Sequence, residues 1–234
     1  MEHKRLTLFA GHYGSGKTNI AVNYALALSR EGKKVCIADL DIVNPYFRTK
    51  DSAAVLENAG VELISPQFAN TNVDLPALPA EAYKLVTDHS TYAIMDIGGD
   101  DRGAYALGRY VPSILEENNY RMIFVANCYR PLTRTPEEAM EVMAEIEAAC
   151  GMKFTDIVNN SNLGSETTPE TVLNSVSYIE KLSALSGLPL FATTAEATVA
   201  AGLPESIGPV IPMQLQEKYF DLPTQKPGNR PLWG

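Results

Sequence analysis

Gly11-His12-Tyr13-Gly14-Ser15-Gly16-Lys17-Thr18 reads G-x-x-x-x-G-K-T. Ahead of it stands the short apolar run Leu6-Thr7-Leu8-Phe9. Behind it, Asn19-Ile20-Ala21-Val22-Asn23-Tyr24-Ala25-Leu26 carries apolar residues at helical spacing. Strand, glycine loop and helix in that order make a phosphate cradle. Gly11, Gly14 and Gly16 let successive backbone N–H groups converge on phosphate oxygens, and the helix adds its dipole. Lys17 offers a point charge to the β- and γ-phosphates, and the Thr18 hydroxyl is a magnesium ligand. His12, Tyr13, Ser15 and Asn19 complete the expected contacts with a nucleotide. The competing reading, a glycine turn without ligand, leaves the flanking strand and helix unaccounted for.

The rest of the chain fits this start. Its 234 residues are 45% hydrophobic, enough for one α/β domain with a sizeable core. A net charge of −9 without any Lys/Arg-rich block argues against non-specific nucleic-acid binding. Cys36, Cys128 and Cys150 are isolated from one another, which suits a reducing compartment and gives no metal-binding pair. With no apolar run long enough to span a bilayer or serve as a leader, the expected location is cytoplasmic, off the membrane.

Short β-rich runs alternate with helical patterns. The expected strands are 6–10, 35–39, 61–64, 93–96, 122–126, 156–159 and 188–192. Helical stretches are expected near 17–31, 51–59, 79–89, 104–118, 136–150 and 169–186. That alternation predicts a three-layer α/β/α fold with a mostly parallel central sheet and the ligand at the strands' carboxyl ends. Residues 1–213 form the nucleotide-binding domain in this reading, and 214–234 a Pro-rich tail. Ser65 to Pro79, with Pro66, Pro76 and Pro79, reads as a long loop that either serves a partner or is a passive excursion. The acidic stretch Glu137 to Glu147 reads as the solvated face of a helix.

Two carboxylate sites follow. The second strand ends Ala38-Asp39-Leu40-Asp41, and period-two alternation puts Asp39 and Asp41 on one side near the glycine loop. There they would hold a magnesium-bound water and orient an attacking one; a surface or capping role is the alternative. The strand Tyr92-Ala93-Ile94-Met95-Asp96 is apolar and ends in an acid, the form of a second magnesium carboxylate. Gly98 and Gly99 after it suit either a loop that donates N–H to the γ-phosphate or an ordinary turn. Lys17, Asp41 and Asp96 are the expected catalytic set, and Thr18, Asp39 and Asp96 the expected metal set.

At the end of a later strand stands Asn159-Asn160-Ser161-Asn162. A guanine-reading site would carry an acid where Asn162 lies. An amide both donates and accepts, as an adenine edge requires, so ATP is favoured over GTP. Asparagines that merely form a turn are the other reading.

Taken together these residues resemble the MinD/ParA branch of P-loop ATPases, which includes the nitrogenase iron protein and the metal-insertion ATPases of nickel enzymes. The likeness rests on Gly11–Thr18, Asp39-x-Asp41 with Asn44, Asp96 with Gly98, and Asn160-Ser161. It implies that Asp41 positions the hydrolytic water, Asp96 holds magnesium through water, Asn160 contacts adenine, and a loop at Thr193-Thr194 walls the base. The sequence departs from the branch at one place. His12 stands where the branch carries a signature lysine, with Tyr13 in place of the next glycine. That lysine reaches across a sandwich dimer, and His12 would do the same only when protonated. The expected function is a Mg-ATP-dependent switch acting on a protein partner, with an ATP-dependent homodimer as a further possibility. The alternative is a metabolic enzyme of the cobyrinate amidase or dethiobiotin synthetase type. Its small carboxylate would have to bind near Ser65–Pro79 or Tyr129-Arg130-Pro131.

Overall fold

A computed structural model describes residues 3–40, 52–64, 80–98 and 106–215. Asp41, Asn44, the 65–79 loop, Gly99 and the Pro-rich stretch beyond 215 lie outside the described residues.

Eight strands form one sheet: β1 (Leu6–Ala10), β2 (Val35–Asp39), β3 (Glu62–Ile64), β4 (Tyr92–Asp96), β5 (Tyr120–Ala126), β6 (Asp156–Asn159), β7 (Leu190–Glu196) and β8 (Val210–Met213). Their order is β3-β2-β4-β1-β5-β6-β7-β8, and every pairing is parallel. Strands covered on both faces need apolar side chains in both directions, which is why β1 and β2 are buried throughout.

The two faces carry separate apolar layers. Phe9, Val35, Ile37, Ile94, Ile123 and Val125 pack with Ile20, Ala21, Ala25 and Leu28 of the helix Lys17–Arg30. On the other face Leu8, Ala38, Met95 and Phe124 meet the helices Val111–Glu117, Pro136–Cys150 and Val176–Ser186 through Ile114, Val142, Ile146 and Leu182. This is the three-layer α/β/α arrangement of P-loop nucleotide-binding proteins.

At the amino end of the sheet, away from the glycine loop, Arg5 is only 5% exposed. Its guanidinium bonds to Glu117 and to the carbonyls of Leu85 and Thr91 at 3.0 and 3.1 Å. Those bonds from Arg5 hold the Glu117 carboxyl below its usual range. The cluster ties β1 to the 84–91 segment and to the helix Val111–Glu117, so its role is structural.

The structure departs from the expected pattern at several places, among them a β5 that starts at Tyr120 rather than 122 and a helix Val111–Glu117 where 104–118 was expected. β7 extends to Glu196, because β8, which was not expected, pairs with Thr193–Glu196. The expected helix over 79–89 is a 3₁₀ turn, Ala80–Tyr83, running into a short helix, Lys84–Thr87. The expected helix over 169–186 is two, Pro169–Leu173 and Val176–Ser186. At that break the Ser175 hydroxyl donates to the Val172 carbonyl at 2.7 Å, competing with the helical ladder.

Candidate nucleotide-binding site

Residues 11–16 leave the end of β1 and turn into the helix that begins at Lys17. Two of the glycines are fixed by what lies against them. A Cβ on Gly11 would stand 2.7 Å from the Val125 carbonyl oxygen. Gly16 has φ +93°, and its Cβ would stand 2.2 Å from Asn160 Nδ2. No side chain fits at either. The loop closes on itself where Ser15 N–H and Lys17 Nζ both donate to the His12 carbonyl, at 3.1 and 3.2 Å. Lys17 is buried to 5% exposure with its ammonium inside the loop, where a phosphate charge would meet it. Tyr13 projects outward and is 55% exposed. Asn19 accepts from Asn23 Nδ2 one helical turn on.

Beside the loop, Thr18 Oγ1 donates to Asp96 Oδ2 at 2.5 Å. Asp96 ends β4 on the face that carries Ile94, and Asp39 ends β2 on the face that carries Ile37; both faces meet the helix Lys17–Arg30. The two acids are direct partners in the β2–β4 register and are 2% exposed or less. A hydroxyl and two carboxylates are hard oxygen donors of the kind magnesium takes, with water and phosphate oxygens filling the other positions. Among the described residues no group of three His, Cys, Asp or Glu forms a protein-only metal site. Gly98, buried, follows directly after β4.

On the other side of the loop, the end of β6 supplies a strut. Asn160 Nδ2 donates to the Ser15 carbonyl at 2.6 Å, and its Oδ1 accepts from Thr194 Oγ1 at 2.8 Å. Asn160 thereby joins β6, β7 and the glycine loop. Asn159 points elsewhere: its amide donates to Ser175 Oγ at 2.9 Å and accepts from Ser161 N–H at 3.2 Å. Asn162 closes its own turn, donating to the Asn160 carbonyl at 2.7 Å and accepting from Gly164 N–H at 3.1 Å. Thr193 and Thr194 are not in a loop, as expected from the sequence, but inside β7 and buried. β8 supplies the backbone partner that continues the strand through them.

His12 bears on the missing lysine. Burial lowers its pKa, the charge of nearby Lys17 lowers it further, and Glu145 works the other way. The shift favours the neutral imidazole where a lysine would be charged. Arg130, named in the sequence only as part of a candidate small-carboxylate pocket, stands against the glycine loop instead. From the turn after β5 it donates Nε–H to the Gly14 carbonyl at 3.0 Å. Only its position beyond a strand's carboxyl end hinted at that contact.

Comparison with known proteins gives three findings. The sequence model of the CobQ/CobB/MinD/ParA nucleotide binding domain matches residues 6–181. A cytosolic Fe-S cluster assembly factor, cfd1, from Emericella nidulans is 30% identical over 96 residues, 41% of this chain and 27% of that protein. Among solved structures, FtsY from Mycoplasma mycoides superposes with a TM-score of 0.51 at 16% identity, covering 81% of this chain and 60% of that one. The latter likeness is one of fold. The chain thus spans about a quarter of the relative it matches in sequence.

Proposed function

Because the chain belongs to the CobQ/CobB/MinD/ParA nucleotide-binding family, whose model matches residues 6–181, we infer that it is a Mg-ATP-dependent switch acting on a protein partner. The observation that carries this reading is the Thr18–Asp96 hydrogen bond of 2.5 Å, level with buried Asp39, at the start of the helix whose first residue, Lys17, turns its ammonium into the glycine loop. These groups supply a phosphate-binding cation and magnesium-binding oxygens in one place. Lys17 draws charge from the β- and γ-phosphates. Thr18, Asp96 and Asp39 would hold magnesium, which when bound would neutralise charge developing on the phosphates. Asp41, two residues beyond Asp39, orients the attacking water.

Adenine is the expected base, since the turn after β6 carries Asn162 where a guanine-reading carboxylate would stand. The name of the Emericella nidulans relative, a cytosolic Fe-S cluster assembly factor, supports a maturation-type role. Cys36 and Cys150 are buried, and burial pushes the Cys36 thiol up to about 12 and raises Cys150 as well. No helix among the described residues is long and apolar enough to cross a membrane.

Purified protein with ATP and Mg²⁺ alone tests the reading. Slow, steady phosphate release supports the switch. Release only on addition of a small carboxylate metabolite would replace it with the ligase-type alternative.

A further inference from the structure

We propose that Arg130 reads the terminal phosphate of a bound nucleoside triphosphate and so gives the site its preference for triphosphate over diphosphate. This rests on the nucleotide-binding reading above and deepens it.

The turn that carries Arg130 is firmly held. Asn127, fully buried, accepts from Tyr129 N–H at 3.0 Å through its side chain. Its carbonyl accepts from Arg130 N–H at 3.2 Å and from Thr133 Oγ1 at 2.8 Å. Cys128 N–H donates to Ser161 Oγ at 3.1 Å, and the Tyr129 hydroxyl to the Thr171 carbonyl at 2.8 Å. Within the turn Leu132 has φ +65°, a conformation a branched side chain resists. A rigid platform of this kind limits where the guanidinium can go.

From it, Arg130 crosses to the glycine loop. Nε–H takes the Gly14 carbonyl at 3.0 Å, and the nearest atoms to a Cβ on Gly14 are Arg130 Cδ and Nε, both at 3.9 Å. That uses one of five N–H donors. Among the described residues, neither Nη group makes a hydrogen bond or ion pair. Gly14 lies two residues along the loop from His12, whose carbonyl receives Lys17 Nζ at 3.2 Å. The lysine marks the end of the cradle where the β- and γ-phosphates belong. From its anchor on Gly14, a planar fork reaching that end would match two oxygens of a phosphate group. A strap for the loop would need a single neutral donor, and Arg130 brings a full charge and four more.

Titration calorimetry with a non-hydrolysable ATP analogue and with ADP, both with Mg²⁺, tests the assignment on wild type, Arg130→Gln and Arg130→Ala. Glutamine keeps a donor for the Gly14 carbonyl and removes the charge. Both variants are expected to lose about tenfold or more in affinity for the triphosphate while ADP stays within about twofold, the range of one charge-assisted contact. Equal losses for both nucleotides, or none, would overturn the role of Arg130 and leave the nucleotide site standing. A wild-type protein that binds neither ligand would overturn the site reading and this inference with it.

Discussion

Asn160 Nδ2 occupies the place that a Cβ on Gly16 would need, the two atoms coming to 2.2 Å. The same nitrogen donates to the Ser15 carbonyl, so the end of β6 and the phosphate loop are locked together from both sides.

Gly16→Ala is therefore expected to cost about 1–3 kcal/mol in stability, from the left-handed backbone and from displacing a buried amide that then lacks its partner. Urea denaturation measures it. Nucleotide affinity should fall with it. An alanine variant as stable as wild type would mean that Asn160 moves aside at no cost.

Lys17→Ala is expected to abolish stabilisation by Mg-ATP, because it removes the cation that would meet the phosphates, and to cost the nucleotide-free protein the bond to the His12 carbonyl. Thr18→Ala and Asp96→Asn should keep part of the nucleotide stabilisation and lose its dependence on Mg²⁺. Thermal unfolding with ATP, in magnesium and in EDTA, separates the three. A Thr18→Ala protein that still responds fully to magnesium would remove the hydroxyl from the metal site.

Asp41→Asn should bind ATP and turn it over about a hundredfold more slowly, the scale of a lost water-orienting or general-base group. Asp39→Asn should raise the magnesium requirement instead. Single-turnover phosphate release distinguishes the two, and normal turnover by the Asp41 variant would contradict the water-positioning role.

ATP should displace a fluorescent ATP analogue more effectively than GTP does. Asn162, at the position of a guanine-reading acid, is an amide, and its two ends are occupied by the Asn160 carbonyl and Gly164 N–H. Equal competition by the two nucleotides would mean that the base is not recognised at the end of β6.

His12 supplies a pH test with a definite sign. Its folded pKa lies below the ordinary 6.5, chiefly through burial and then through Lys17. In acid the unfolded chain takes up the proton first, so the contribution of His12 to stability is full above about pH 6.5 and falls as pH drops below it. Relative to His12→Gln, the wild-type melting temperature should decline between about pH 7.5 and about pH 5.5. Any ATP-dependent dimer should form equally well at pH 8 and pH 7, since His12 is neutral at both. Sedimentation velocity checks the second point; a dimer that strengthens steadily over that range would restore His12 as a stand-in for the signature lysine.

The glycine loop and the two strand-end acids were readable because each is written locally: a fixed spacing, an apolar run, a carboxylate at its end. β1, β2 and β6 have the boundaries the sequence predicts. What escaped depends on partners distant in sequence. Thr193-Thr194 look like a turn until β8, 17 residues along in the register, pairs with them. Asn159 and Asn160 are adjacent and alike, yet strand alternation sends one to Ser175 and the other to Ser15. Arg130 meets Gly14 across 116 positions of chain, and no local pattern announces such a contact.

The pairing of Asp39 with Asp96 also governs which changes the chain can absorb. Within β2 and β4 one apolar side chain can replace another of similar bulk and leave both acids where they are. Losing or gaining a single residue between Lys34 and Asp39 is different in kind. It would turn the Asp39 carboxylate through the sheet into the layer that holds Met95 and Ile114, and bring an apolar neighbour to the metal side. Insertions and deletions should consequently be confined to the segments beyond the strands' carboxyl ends, where new lengths can meet new partners without disturbing the oxygens beside Thr18.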